Sequence, residues 1–131
     1  MRYVGIDYGS KRIGIAVSDD EGRIAFPIGV IMNRGKSALK EIIERTKKEH
    51  AQIIVVGLPI GLDGTETEQT KKITLFAATL AQEIEIPVEM ENEMFTSRMA
   101  TESGMKGDHV DAASAAIILQ SYLDRENAKI K

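Results

Sequence analysis

The apolar positions of the chain first follow a two-residue period. Val4 to Tyr8 fits a first strand, and Gly9-Ser10-Lys11 makes a short turn into a second, where Ile13, Ile15 and Val17 alternate with small residues. Asp19-Asp20-Glu21-Gly22 forms the next polar turn. A third strand, about Ile24 to Met32, closes a three-stranded antiparallel meander, with Pro27 marking an exposed or irregular edge. The spacing leaves no room for crossover helices.

After Asn33-Arg34-Gly35 the period lengthens. Leu39, Ile42, Ile43 and Thr46 share one helical stripe that ends near His50. Ile53 to Gly57 is a continuous apolar run, the pattern of a buried parallel strand. A loop over Pro59 to Thr65 leads to a second amphipathic helix marked by Thr70, Ile73, Phe76, Ala77, Leu80 and Ile84, and Pro87 to Met90 begins a fifth strand. The last third predicts a helix over Thr96 to Ser103, a break at Gly104 to Gly107 and an alanine-rich helix from Asp108, a good N-cap, to Arg125. The order βββαβαβα predicts an α/β fold: a five-stranded mixed sheet, antiparallel in strands 1–3 and then parallel in strands 4 and 5, with helices packed on its faces. At 131 residues the chain fits one domain, residues 1–131, with no internal repeat or linker.

One polar position breaks the first pattern. Asp7 sits in an apolar, β-prone segment, where an unpartnered carboxylate is costly enough to protonate or to need a cation. Two further acids fall where elements begin or end against the sheet: Glu93 just after the fifth strand, and Asp111 in the first turn of the final helix. Ends of parallel strands gather on one edge, where open sheets place ligands. Carboxylates converging there are hard oxygen ligands suited to Mg²⁺ or Mn²⁺, and such ions can activate water and stabilise the leaving oxygen of a phosphodiester.

Each acid also has an ordinary reading. Asp7 fits an Asx turn before Gly9, Glu93 one solvated acid in the run Glu83, Glu85, Glu89, Glu91, Glu93, and Asp111 a residue favoured by the helix dipole. Lys11 and Arg12 are candidates for touching phosphate, though turn charges need no function. The Pro59 to Thr65 loop lacks the Gly-Lys-Ser/Thr ending of a phosphate-binding loop. His109, beside Asp111, is a weak candidate for a proton shuttle.

Composition narrows the field. Hydrophobic residues make up 43% and charged residues 28%, an ordinary globular balance, and the few aromatics argue against broad base-stacking platforms. The absence of cysteine excludes disulfides, thiolate nucleophiles and cysteine-bound zinc, and suits a cytoplasmic location. No segment approaches the roughly 20 apolar residues that span a bilayer, so no membrane partner or targeting segment is expected. A net charge of −3 argues against binding through a general basic surface. Residues 1–50 nevertheless carry 10 Lys/Arg against 7 Asp/Glu, while residues 51–131 carry 7 against 13. That asymmetry fits a phosphate-contacting rim beside a metal centre, or chance.

Three motifs in order resemble the YqgF family over nearly the whole chain. They are Gly5-Ile6-Asp7-Tyr8-Gly9-Ser10-Lys11-Arg12-Ile13-Gly14 with Ala16-Val17-Ser18; Val55-Val56-Gly57-Leu58-Pro59 with Asp63-Gly64-Thr65-Glu66; and Asp111-Ala112-Ala113 with Ile118-Leu119-Gln120-Ser121-Tyr122-Leu123. The resemblance implies a ribonuclease H-like fold and a nuclease of pre-16S ribosomal RNA, or else a Holliday-junction resolvase. It also implies that Asp7, Glu93 and Asp111 are the catalytic, metal-holding acids. The middle acid motif departs from the family pattern, with Asn92 where the family has Asp and Met94 where it has Arg. Met94 removes a bidentate phosphate fork, for which Arg98 one turn on is the nearest substitute.

The resulting expectation is a Mg²⁺- or Mn²⁺-dependent endonuclease, with Lys11, Arg12, Thr96, Ser97 and Arg98 contacting the nucleic acid. Pre-16S ribosomal RNA is the first substrate and branched DNA the alternative. Resolution of a junction requires a two-fold dimer, and the sequence leaves monomer or homodimer open. A non-catalytic ribosome-assembly module of the same fold is a rival, and an actin-like nucleotide-binding protein ranks last because the chain is too short for two lobes.

Overall fold

Among the described residues of the computed structural model, five strands and three helices follow in the order β1 (Tyr3–Tyr8), β2 (Arg12–Ser18), β3 (Ala25–Met32), α1 (Lys36–Lys48), β4 (Ile53–Leu58), α2 (Glu68–Glu83), β5 (Val88–Asn92) and α3 (Asp108–Ala128). The structure describes residues 1–59, 67–92 and 108–129, with residues 108–110 described by backbone alone. The expected helix over Thr96 to Ser103, its following break and most of the Pro59 to Thr65 loop lie outside the described residues.

The strands form one sheet in the order β3-β2-β1-β4-β5. β1 pairs antiparallel with β2 and parallel with β4, β2 pairs antiparallel with β3, and β4 runs parallel to β5. This is the mixed sheet expected, with β1 at its centre. Pro27 lies exposed on edge strand β3, beside a register shift opposite Ile15 and Ala16. Boundaries move by a few residues: β3 starts at Ala25, where its pairing with Ser18 of β2 begins, and α3 continues to Ala128.

Alternation along the strands splits the apolar residues between two faces. On one face Val4, Ile6, Ile13, Ile15, Val17, Ile54 and Val56 pack with Ala38 and Ile42 of α1 and Ile73, Ala77 and Leu80 of α2. The other face carries Gly5, Gly14, Ala16, Val55 and Gly57, and receives Ala115, Ile118, Leu119 and Tyr122 of α3. Its small residues let the helix come close. A Cβ on Gly57 would run into the Ile118 side chain, and one on Gly14 into the Asp111 carbonyl.

Local chemistry fixes the helix ends. Thr67 caps α2, its hydroxyl accepting from the Thr70 N–H while the Thr70 hydroxyl accepts from the Thr67 N–H at 2.7 Å. Gln120 of α3 bridges to the β2–β3 turn, accepting from Ala25 N at 2.9 Å and donating to Arg23 O at 2.8 Å. Those bonds lock the helix along the sheet, with its first turn over the end of β2 that pairs with Asp7.

Candidate active site

Asp7 is the next-to-last residue of β1 and stands opposite Gly14 of β2. It therefore lies within the ladder, and the Asx-turn alternative falls away. Alternation puts its side chain on the α3 face, since Ile6 and Tyr8 belong to the opposite core. Because Gly14 lacks a side chain, the backbone of Asp111 rests directly on it. Two carboxylates separated by 104 positions in sequence are thus drawn together over one glycine, a role for Gly14 that its sequence position only hints at.

The consequence is electrostatic. Burial first, and the neighbouring Asp111 charge second, push the Asp7 carboxyl up from 3.8 to about 7. No cation or hydrogen-bond donor among the described residues offsets this. Asp111 itself is held from outside: Arg12 Nε donates to its Oδ2 at 2.7 Å, with both side chains partly exposed. Arg12, a candidate phosphate contact, thus also orients an acid. Lys11 is exposed in the β1–β2 turn at the same sheet edge.

The other expected members of the site, Glu93, Thr96, Ser97 and Arg98, lie outside the described residues, as does the side chain of His109. β5 reaches this edge, with Asn92 paired to Leu58 and Glu91 paired to Gly57. Among the described residues of the acidic run, Glu91 is the buried member on the α3 face, only 3% exposed, and its Oε1 lies 2.6 Å from Arg125 Nη1. Arg125 also lies over the Tyr122 ring, 5.4 Å from its centroid. Five glutamates in eleven residues offer no sequence signal for which one is buried.

Among the described residues no three His, Cys, Asp or Glu side chains gather as a metal-ligand set. The pair that does gather, Asp7 and Asp111, fits a hard divalent cation on chemical grounds: both supply carboxylate oxygens, and the half-buried Asp7 has no compensating cation among the described residues. A cation there would favour the ionised form that burial opposes.

Comparison with known proteins sets this geometry in a family. The family model described as RuvX, Holliday junction resolvase, matches residues 1–125. A relative from Koribacter versatilis named "Putative pre-16S rRNA nuclease" is 39% identical, covering 95% of this chain and 87% of its own length. One of the same name from Anaeromyxobacter is 37% identical, over 98% of this chain and 100% of the relative. Among solved structures, RuvC of Thermus thermophilus superposes with a TM-score of 0.55 at 17% identity, covering 97% of each chain. Its complex with a Holliday junction substrate gives 0.56 at 16% identity, covering 96% of each. These structures bear out the ribonuclease H-like fold.

Proposed function

Given that the chain belongs to the RuvX family of nucleases, we propose that it is a divalent-metal-dependent endonuclease, with Asp7 and Asp111 as two of its metal-holding acids and Glu93 as the third. The observation that carries this reading is the half-buried Asp7 carboxyl, which lies beside Asp111 at the sheet edge with no compensating cation or donor among the described residues and is pushed up to about 7. A purely structural carboxylate would have a donor or a cation beside it. When bound, the ion, Mg²⁺ or Mn²⁺, supplies the acidity that prepares water for attack on a phosphodiester.

This chain's own residues do the rest. Asp7 is fixed by the β1 ladder and needs no side-chain support. Asp111 is set by Gly14 below and Arg12 beside it, which holds it next to Asp7 at the sheet edge. Lys11, exposed on the same turn, holds a phosphate of the substrate strand, with Thr96, Ser97 and Arg98 as further contacts. Asn92 takes one negative charge from the middle motif of the family pattern, which lowers metal affinity, and Met94 takes away a phosphate fork.

The substrate is precursor 16S ribosomal RNA, as the names of the relatives support. Branched DNA is the second reading, favoured by the family description and the likeness to RuvC. A cleavage panel separates them: a pre-16S fragment, single-stranded DNA and a four-way junction, each with Mg²⁺ or Mn²⁺, alongside a solution mass. Preferred cutting of the RNA supports the first reading. Symmetric junction cuts by a dimer replace it with the second. Calorimetry that finds no divalent binding, together with no cleavage of any substrate, overturns both in favour of an assembly module.

A further inference from the structure

On the face of the sheet opposite Asp7, the helices α1 and α2 leave a groove between them that opens at the same sheet edge. Its floor is Tyr8, the residue after Asp7, with Leu39 and Phe76 as walls and Leu75 at the rim, 70% exposed. The rings of Tyr8 and Phe76 lie 4.4 Å apart. This apolar slot holds about 270 Å³ and joins a more polar cavity of about 540 Å³ bordered by Tyr8, Ser10, Asn33 and Gln69. Lys72 lines both parts and Lys36 the slot, while Glu68 is the one carboxylate lining either among the described residues.

An apolar slot with an aromatic floor, a polar annex and lysines at its mouth has the chemistry of a nucleotide: a π-face to stack, edges to hydrogen-bond and a phosphate to neutralise. We propose that this groove receives one unpaired base of the substrate strand, next to the nucleotide whose phosphodiester lies at Asp7. The inference rests on the endonuclease reading for the identity of that strand. The groove and the acid are separated by a single step along β1, so a strand crossing the sheet edge meets both. A second copy of this chain is the poorer occupant, because a two-fold contact at this patch brings the lysines of both copies to one interface. The scarcity of aromatics elsewhere limits such stacking to one base rather than a run.

The test measures binding of the Asp7→Asn protein to single-stranded RNA, so that no cleavage intervenes. A set of short RNAs, each with one abasic position, is titrated against the parent and against versions carrying Leu75→Glu, Lys72→Glu or Lys71→Glu. All three positions are solvent-exposed, and circular dichroism confirms the fold; Lys71 is a charge-matched control that does not line the groove. One abasic position weakens the parent about tenfold. Leu75→Glu and Lys72→Glu weaken intact RNA by about as much and no longer respond to that abasic position, whereas Lys71→Glu binds like the parent. An abasic series with no sensitive position overturns the proposal, as does an equal loss from Lys71→Glu. So does a Leu75→Glu that splits a dimer without changing affinity, which assigns the groove to a second copy. Cleavage by the wild type is scored separately: a sensitive base without cleavage sinks the nuclease reading alone, and cleavage without a sensitive base sinks the groove alone.

Discussion

Asp7 is the residue on which stability and function pull in opposite directions. Its carboxyl is pushed from 3.8 in the unfolded chain to about 7 in the fold, so between those pH values the folded protein keeps a proton that the unfolded chain releases. The contribution of Asp7 to stability in the absence of metal is therefore fullest below about pH 4 and is lost as pH rises through 7. The ionised form costs on the order of 2–4 kcal/mol once partial exposure is allowed for. Asp7→Asn should accordingly be more stable than the wild type at pH 8 without divalent ions, by about 2 kcal/mol in denaturant titrations, and should match it near pH 4. Adding Mg²⁺ or Mn²⁺ should raise the melting temperature of the wild type at pH 8 and leave Asp7→Asn unmoved. An Asn variant with no advantage at pH 8 would mean that Asp7 is already compensated. Asp7 was legible because an acid stands out in an apolar period. Arg12 as the partner of Asp111 was not, since that contact spans 99 positions and a turn arginine has many possible uses.

Among the elements, α3 does most to bring the site together. Its first turn reaches Asp7 only because Gly14 lets the Asp111 backbone rest on β2. Gly14→Ala should destabilise the protein by about 1–3 kcal/mol, and it should depress cleavage beyond what the loss of folded protein explains, because Asp111 is displaced. Calorimetry and rates corrected for folded fraction check this. Farther along the helix, Arg125→Ala leaves Glu91 buried without its cation and should cost about 1–3 kcal/mol, discounted because Arg125 is half exposed. Arg125→Ala with Glu91→Gln should recover much of that loss, which a double-mutant cycle measures. The strands were legible from their periods, as was the edge position of Pro27. The line of contact for α3 was only half legible. Gly5, Gly14, Ala16 and Gly57 alternate with large apolar residues, and the alanines of the last helix are their complement, but matching them needs the strand order. Which glutamate of the β5 run turns inward depends on register with β4, and no local pattern carries that.

At the scale of the molecule, one sheet separates two chemistries. The α3 face brings Asp7 and Asp111 together, while the α1–α2 face opens a lysine-flanked apolar groove at the same edge. Both faces share the five strands, so metal-free unfolding should follow a single transition by fluorescence-independent probes such as far-UV and near-UV circular dichroism. The fold class came from the sequence because a closely spaced meander followed by helix-linked strands admits few topologies. The electrostatics of the edge did not, because the basic excess of the first 50 residues is sequence bookkeeping and says nothing about which lysines face the groove. Asp7 is proposed to serve a metal-dependent cut rather than the fold, and that role has a direct test: the initial rate of RNA cleavage in Mg²⁺ or Mn²⁺ for pure, folded Asp7→Asn against the wild type. Asp7→Asn should lose at least about a hundredfold in rate with the fold intact; an Asp7→Asn protein that cuts as fast as the wild type would show that Asp7 has no part in cleavage.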